Sequence, residues 1–229
     1  MQPAKIGSNQ NLKTIPKTKI HTVLEEGEFG AMLDLKVWNP KTGDISFDKS
    51  MKSESYVQQF MQLLYAQFVL ASAVDDPVSI RDTGNTLRNV GPVVYGLANA
   101  GFIFDVLAGA GVATYGIAVG TGNTAPVITN YVLETPIAHG VGAGQLQYSA
   151  VTFGAPSADA TTSQLTITRN FANGSGGAIT VNEVVLYCRA VDDVPAARYF
   201  MLIRDVIAGG VAVPNGQTLT VNYRPQAVI

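Results

Sequence analysis

Between residues 31 and 38 the side chains alternate, with Met32, Asp34 and Lys36 falling between Leu33, Leu35 and Val37. A period of two marks a strand with one dry face and one wet face. Pro40 and Gly43 then mark a turn, because one fixes φ and the other accepts a positive φ. Ile45, Ser46 and Phe47 resume the strand pattern, so residues 31–47 predict a β-hairpin. Over residues 53–71 the period lengthens to three and four. Val57, Phe60, Met61, Leu64 and Phe68 recur there, which predicts one amphipathic helix with that set as its buried face. Ser55 and Gln58 have the spacing of a capping box at its start.

From residue 77 onward the chain reads as short strands broken by Gly, Asn, Thr and Pro. The segments are 78–81, 93–97, 102–106, 115–119, 131–133, 146–153, 164–171, 179–187, 199–206 and 218–223. The pairs 164–171/179–187 and 199–206/218–223 predict antiparallel hairpins, joined through Asn173-Gly174-Ser175 and Pro214-Asn215-Gly216. The expected fold is mainly β: an antiparallel β-sandwich or jelly-roll-like domain with one amphipathic helix and an extended N-terminal arm. The expected organisation is a basic extended arm over 1–20, a β-hairpin plus helix over 21–76 and an antiparallel β domain over 77–229. The span 21–229 is long enough to form one domain.

Charge changes the picture. The 229 residues are 47% apolar and only 14% charged, with 23 glycines; ordinary soluble domains carry roughly 25% charged residues. Residues 83–168 hold four charged side chains, Arg88, Asp105, Glu134 and Asp159. Thr, Ser, Asn, Gln and Gly take the polar positions instead. Burying a neutral hydrogen-bonding group against another protein costs less than burying an ion, so this composition points to a surface covered by neighbouring subunits. A membrane span is not the reading. The most apolar stretch, 90–119, is interrupted by Gly91, Pro92, Gly96, Gly101, Gly109, Gly111 and Gly116, whereas a spanning helix needs about 20 continuous apolar residues. Residues 1–20 carry Lys5, Lys13, Lys17 and Lys19 and no acid. They read as a solubilising terminus or as an arm packed on a neighbouring subunit. They contain no apolar run of a secretory signal, so synthesis in a cytoplasm without secretory export is expected.

Chemistry is sparse. The two histidines, His21 and His139, lie far from Cys188 and from each other, so metal-ligand spacing is absent. Cys188 sits in an apolar strand and reads as a small buried hydrophobe. The Gly-x-Gly runs at Gly109, Gly120 and Gly142 fail the dinucleotide pattern and read as tight turns. Asp75-Asp76 and Asp192-Asp193 lack the oxygen ligands of a calcium loop and read as solvated turns. Glu183 and Arg169, on the predicted partner strands 179–187 and 164–171, and Arg204-Asp205 are candidates for cross-strand ion pairs. No basic-aromatic interleaving of a nucleic-acid binder is present. The expectation is therefore no enzyme, no cofactor, no metal, no nucleic acid and no membrane.

An ordered series in the second half carries a resemblance: YGIAVGTGNTAP (115–126), NYVLE (130–134), LTITRNF (165–171), NGSGGAITVNEVVLY (173–187), LIRDV (202–206) and VPNGQTLTVNY (213–223). It resembles virion structural proteins of tailed bacteriophages. That resemblance implies a non-enzymatic particle component, located in the virion. Its partners would be other copies of itself and the major capsid protein or tail proteins. A capsid decoration or cement protein is the leading form, with a tail, baseplate or fibre component and a carbohydrate- or receptor-binding module as alternatives. Candidate assembly contacts are Lys5, Lys13, Lys17 and Lys19 of the arm, Gln58 and Gln62 of the helix, and Tyr131 and His139 of the loops.

Overall fold

The computed structural model describes residues 20–21, 23–53, 55–92, 104–194 and 196–229. The predicted arm, with Lys5, Lys13, Lys17 and Lys19, and the predicted strand 93–97 lie outside the described residues. The chain is mainly β and antiparallel, with one helix. Its elements are β1 (Ile20–His21), β2 (Phe29–Trp38), β3 (Ile45–Ser53), α1 (Gln58–Phe68), β4 (Val78–Arg81), β5 (Leu87–Val90) and β6 (Gly116–Gly120). They continue with β7 (Gln147–Tyr148), β8 (Thr152–Ala158), β9 (Thr162–Ala172), β10 (Ile179–Val191), β11 (Ala197–Val213) and β12 (Thr218–Val228).

The larger sheet runs β1-β3-β2-β12-β9-β7, and β8 lies beside β7 along the same edge of β9. Its inner face is set by register. Val37, Leu219 and Phe171 form one cross-strand row, Leu35, Val221 and Arg169 the next, and Leu33, Tyr223 and Ile167 the third. All but Ile167 in these rows are fully buried. On the outer face Trp38 Nε1 donates to Thr220 Oγ1, which donates to Asn170, while Thr168 bonds Asn222. Further along the same face Arg224 pairs with Asp34, so neutral bonds and one ion pair together hold the wet face. The predicted hairpin over 31–47 is the β2–β3 pair.

The smaller sheet, β11-β10-β6, faces the first across one apolar core. Tyr223 reaches over from β12, and its hydroxyl contacts the Val184 carbonyl and the Asp205 carboxylate. The two hairpins predicted late in the chain are not formed. β9 pairs with β12, and β10 with β11 and β6, so 173–178 and 214–217 carry the chain from one sheet to the other. Asn173 ties the two crossings together. Its Nδ2 donates to the Gly177 and Val213 carbonyls, its N–H to Gln217, and its carbonyl accepts from Gly216. Gly and Asn satisfy an inter-sheet crossing as well as a hairpin turn, which is why the local pattern misleads.

The hairpins β4–β5 and β10–β11 share one turn design. Asp82 accepts from the N–H groups of Gly84 and Thr86 and from Arg88 Nε. Asp192 does the same with Val194, Ala196 and Arg198. Asp192 is buried, not a solvated turn residue. The two turns sit side by side, joined by the N–H of Asp193 on the Asn89 carbonyl.

α1 is shorter than predicted, and it presents a different face. Its N-cap is Val57, which makes no side-chain cap, so the Ser55/Gln58 capping box is not formed. Gln59, Leu63 and Ala66 are buried, whereas Met61 and Phe68 stand in solvent.

Candidate assembly surface

Residues 121–137 lie over the smaller sheet, and an ion network holds them there. Glu183 on β10 and Arg204 on β11 are both buried, with Nε 2.9 Å from the carboxylate. The same carboxylate accepts the N–H groups of Gly122 at 3.1 Å, Glu134 at 3.2 Å and Thr135 at 2.8 Å. Arg204 extends to Asn130 and to Glu134, and Glu134 also takes the N–H and hydroxyl of Thr124. Those bonds, the Thr124 N–H first, hold the Glu134 pKa below the usual carboxylate value. A Cβ on Gly120 would lie 2.4 Å from the Glu183 carboxylate and one on Gly122 would lie 2.6 Å from it. These glycines are there for close approach to a buried acid, and not only for a tight turn. The paired residues are thus Glu183 and Arg204, not Glu183 and Arg169. Asp205 points to the other face of the strand and accepts from Ser53 and Tyr223.

Arg169 occupies an inward position between Ile167 and Phe171 and is fully buried. Its guanidinium donates to five main-chain carbonyls, those of Ser149, Tyr115, Ile117, Gly109 and Val112. It also lies 4.9 Å from the Tyr148 ring centre, a cation–π distance. Desolvation brings its pKa down to about 10, so the group stays charged at neutral pH. One side chain thereby ties down the irregular stretch 109–117.

Burial also acts on the tyrosines. It pushes Tyr56 and Tyr148 up to about 12, and Tyr187 and Tyr223 higher still. An unfolded tyrosine titrates near 10. Between about pH 10 and 12 the folded chain keeps protons that the unfolded chain has lost, so stability falls as pH rises. Arg169 acts in the opposite direction over this range, but four tyrosines oppose one arginine. The thermal midpoint should drop between pH 9.5 and 11.5; a flat midpoint across that range would contradict the packing described here.

Across residues 104–168 every charge is engaged within the chain. Asp105 pairs with Arg189, Glu134 with Arg204, and Asp159 accepts from Thr161 and Thr162. Most of what reaches solvent is neutral, with Glu134 and Asp159 the exposed charges of the stretch. Residues 152–161 form an exposed run that includes all of β8 with Phe153, and Val127, Ile128 and Val141 are exposed apolar side chains elsewhere in the stretch. Pro156 within β8 removes one ladder donor, the usual protection of an edge against strand addition.

The candidate contacts fall in separate places. Gln58 is half-buried and its N–H bonds the Ile128 carbonyl. Gln62 is half-buried, with Oε1 lacking a donor among the described residues. Tyr131 is half-buried in the 121–137 covering. His139 is exposed, but its Nδ1 accepts the Tyr148 N–H at 3.0 Å, so that nitrogen serves the fold. The structure brings Gln58 beside residue 128 and does not bring these residues into one site. Periodicity missed the exposed apolar side of α1, because it assigns every apolar position inward.

A half-open apolar pocket of about 190 Å³ lies between Ala118, Leu133, Ile137, Tyr148 and Tyr187. Small-molecule sites are typically roughly 300–1,000 Å³. Both tyrosine hydroxyls are engaged, Tyr187 by the Leu133 N–H and Tyr148 with the Ile137 carbonyl. Thr83 and Thr114 are the remaining polar residues of its lining, so the pocket offers a sugar few groups to bond. Among the described residues no group of three or more His, Cys, Asp or Glu is placed to hold a metal, and no helix is long and apolar enough to cross a membrane. Cys188 is buried, and desolvation raises its pKa, which keeps the thiol protonated. No family model, curated protein or solved structure matches this chain.

Proposed function

We propose that this chain is a structural subunit of a virus particle, a capsid decoration or cement protein of a tailed bacteriophage, acting through contacts with its own copies and the shell. One observation carries the reading. A β-rich chain exposes a largely neutral surface over residues 104–168, where Asp105 is paired with Arg189 and the two exposed charges, Glu134 and Asp159, are each bonded within the chain. A freely solvated surface normally mixes charges of both signs for solubility. A surface destined for protein contact avoids the desolvation cost of ions. The ordered motifs of residues 115–223 support the particle class. The small apolar pocket with engaged hydroxyls weighs against the glycan-binding alternative.

The test is addition of the purified chain to assembled shells that lack it. Cosedimentation and a raised temperature of shell rupture are expected, and particle images should place the chain on heads. Failure to bind shells, or density on tails alone, overturns the decoration assignment. Removing residues 1–19 should weaken shell binding at least tenfold while leaving the thermal midpoint of the isolated chain in place. An equal loss in both contradicts an assembly role for Lys5, Lys13, Lys17 and Lys19.

A further inference from the structure

α1 and the turn after it leave six apolar residues about half or more exposed. Phe68 is 76% exposed, Leu70 63%, Met61 60%, Tyr65 59%, Val74 52% and Val69 48%. Met61, Tyr65, Phe68 and Val69 follow helical spacing and share one face. For side chains of this size those fractions leave on the order of 700 Å² in solvent. Less the main-chain atoms and the Tyr65 hydroxyl, the apolar part lies at the upper end of the roughly 300–600 Å² of the largest patch on a typical monomer. The whole exposed area approaches the roughly 800 Å² that each partner gives to a standard interface.

Two further features bear on what covers it. Residues 55–74 contain no charged side chain. Two copies can therefore meet through this face with no like charges opposed. The helix also ends in an unusual way. The Ala71 N–H bonds the Ala66 carbonyl and the Leu70 N–H bonds the Gln67 carbonyl, the pattern of a Schellman cap. The left-handed position of that cap favours glycine, yet Leu70 holds it at φ 50°. A leucine there strains the backbone and leaves its side chain in water. It returns something to the molecule only when that side chain is covered.

We infer that this face is a twofold interface between two copies of the chain, with α1 packed against its symmetry mate. A self-complementary patch closes by rotation and needs no second kind of surface. The inference deepens the assembly reading and rests on it for its place in the particle, but the dimer itself is measured on the isolated chain.

Sedimentation velocity on the full chain over a wide concentration series provides the test. The wild-type chain should move from 24.2 kDa toward twice that mass. Phe68→Glu should remain at the lower mass throughout, with an unchanged thermal midpoint at a dilution where the wild-type chain is dissociated. Leu70→Gly should raise that midpoint and weaken association at least tenfold. A wild-type chain that stays monomeric, or Phe68→Glu associating like wild type, overturns the inference. If the chain is monomeric and Phe68→Cys is slow to react with a thiol reagent, the cover comes from within the same chain, which also overturns it. A dimer that fails to bind shells supports this inference and overturns the decoration reading; a monomer that binds shells does the reverse.

Discussion

Arg169→Met is expected to destabilise the fold by about 3–5 kcal/mol, because five buried carbonyls lose their donor at once. Methionine fills a similar length of the site, so cavity formation contributes little and the loss reports hydrogen bonding. For a chain of this size the thermal midpoint should fall by roughly 2–4 °C per kcal/mol. Urea unfolding of the two proteins measures it. Arg169→Lys should fall between them, since an ammonium offers three donors from one point and cannot span five carbonyls on separate segments. A methionine variant within 1 kcal/mol of wild type would show that the 109–117 stretch is held by packing alone.

Glu183→Ala is the second large effect. It leaves Arg204 buried without its closest carboxylate and frees the N–H groups of Gly122, Glu134 and Thr135. Breaking a buried pair by deleting one partner costs about 3–5 kcal/mol. Replacing both members, as Glu183→Met with Arg204→Met, should recover much of the pair's share, while the three N–H groups stay unsatisfied. The effect should also be local. Hydrogen exchange over residues 121–135 should accelerate well beyond that of β12, because those residues are tied down through Glu183. Uniform acceleration across the chain would deny the network its pinning role.

These two arginines show where local pattern succeeds and where it stops. The inward row that contains Arg169 was legible, since Ile167 and Phe171 flank it at period two. Its partners were not, because five carbonyls spread over residues 109–149 leave no trace in a strand pattern. Gly120 and Gly122 read as turns for the same reason: the acid that needs the space lies 61 residues further on from Gly122. β2 and the start of β3 were legible from the alternation of β2, but residues 48–53 of β3 were not, because that strand is half-buried along most of its length. α1 was legible as a helix, but its inner face was not. Apolar residues occupy both of its sides, and the buried side includes Gln59, whose amide has no partner among the described residues. The sheet crossings at 173–178 and 214–217 defeated the hairpin reading because turn residues encode a reversal and not which sheet comes next. The neutral surface was legible as composition. That each remaining charge is engaged within the chain emerged only from its geometry.

Hydroxyl-radical footprinting of the chain, free and within assembled particles, tests the assembly account most directly. Phe153 and Val141 on the neutral surface should label readily in the free chain and lose most of that labelling in the particle. Equal labelling of these side chains in both states would contradict the claim that this surface is made to be covered by protein.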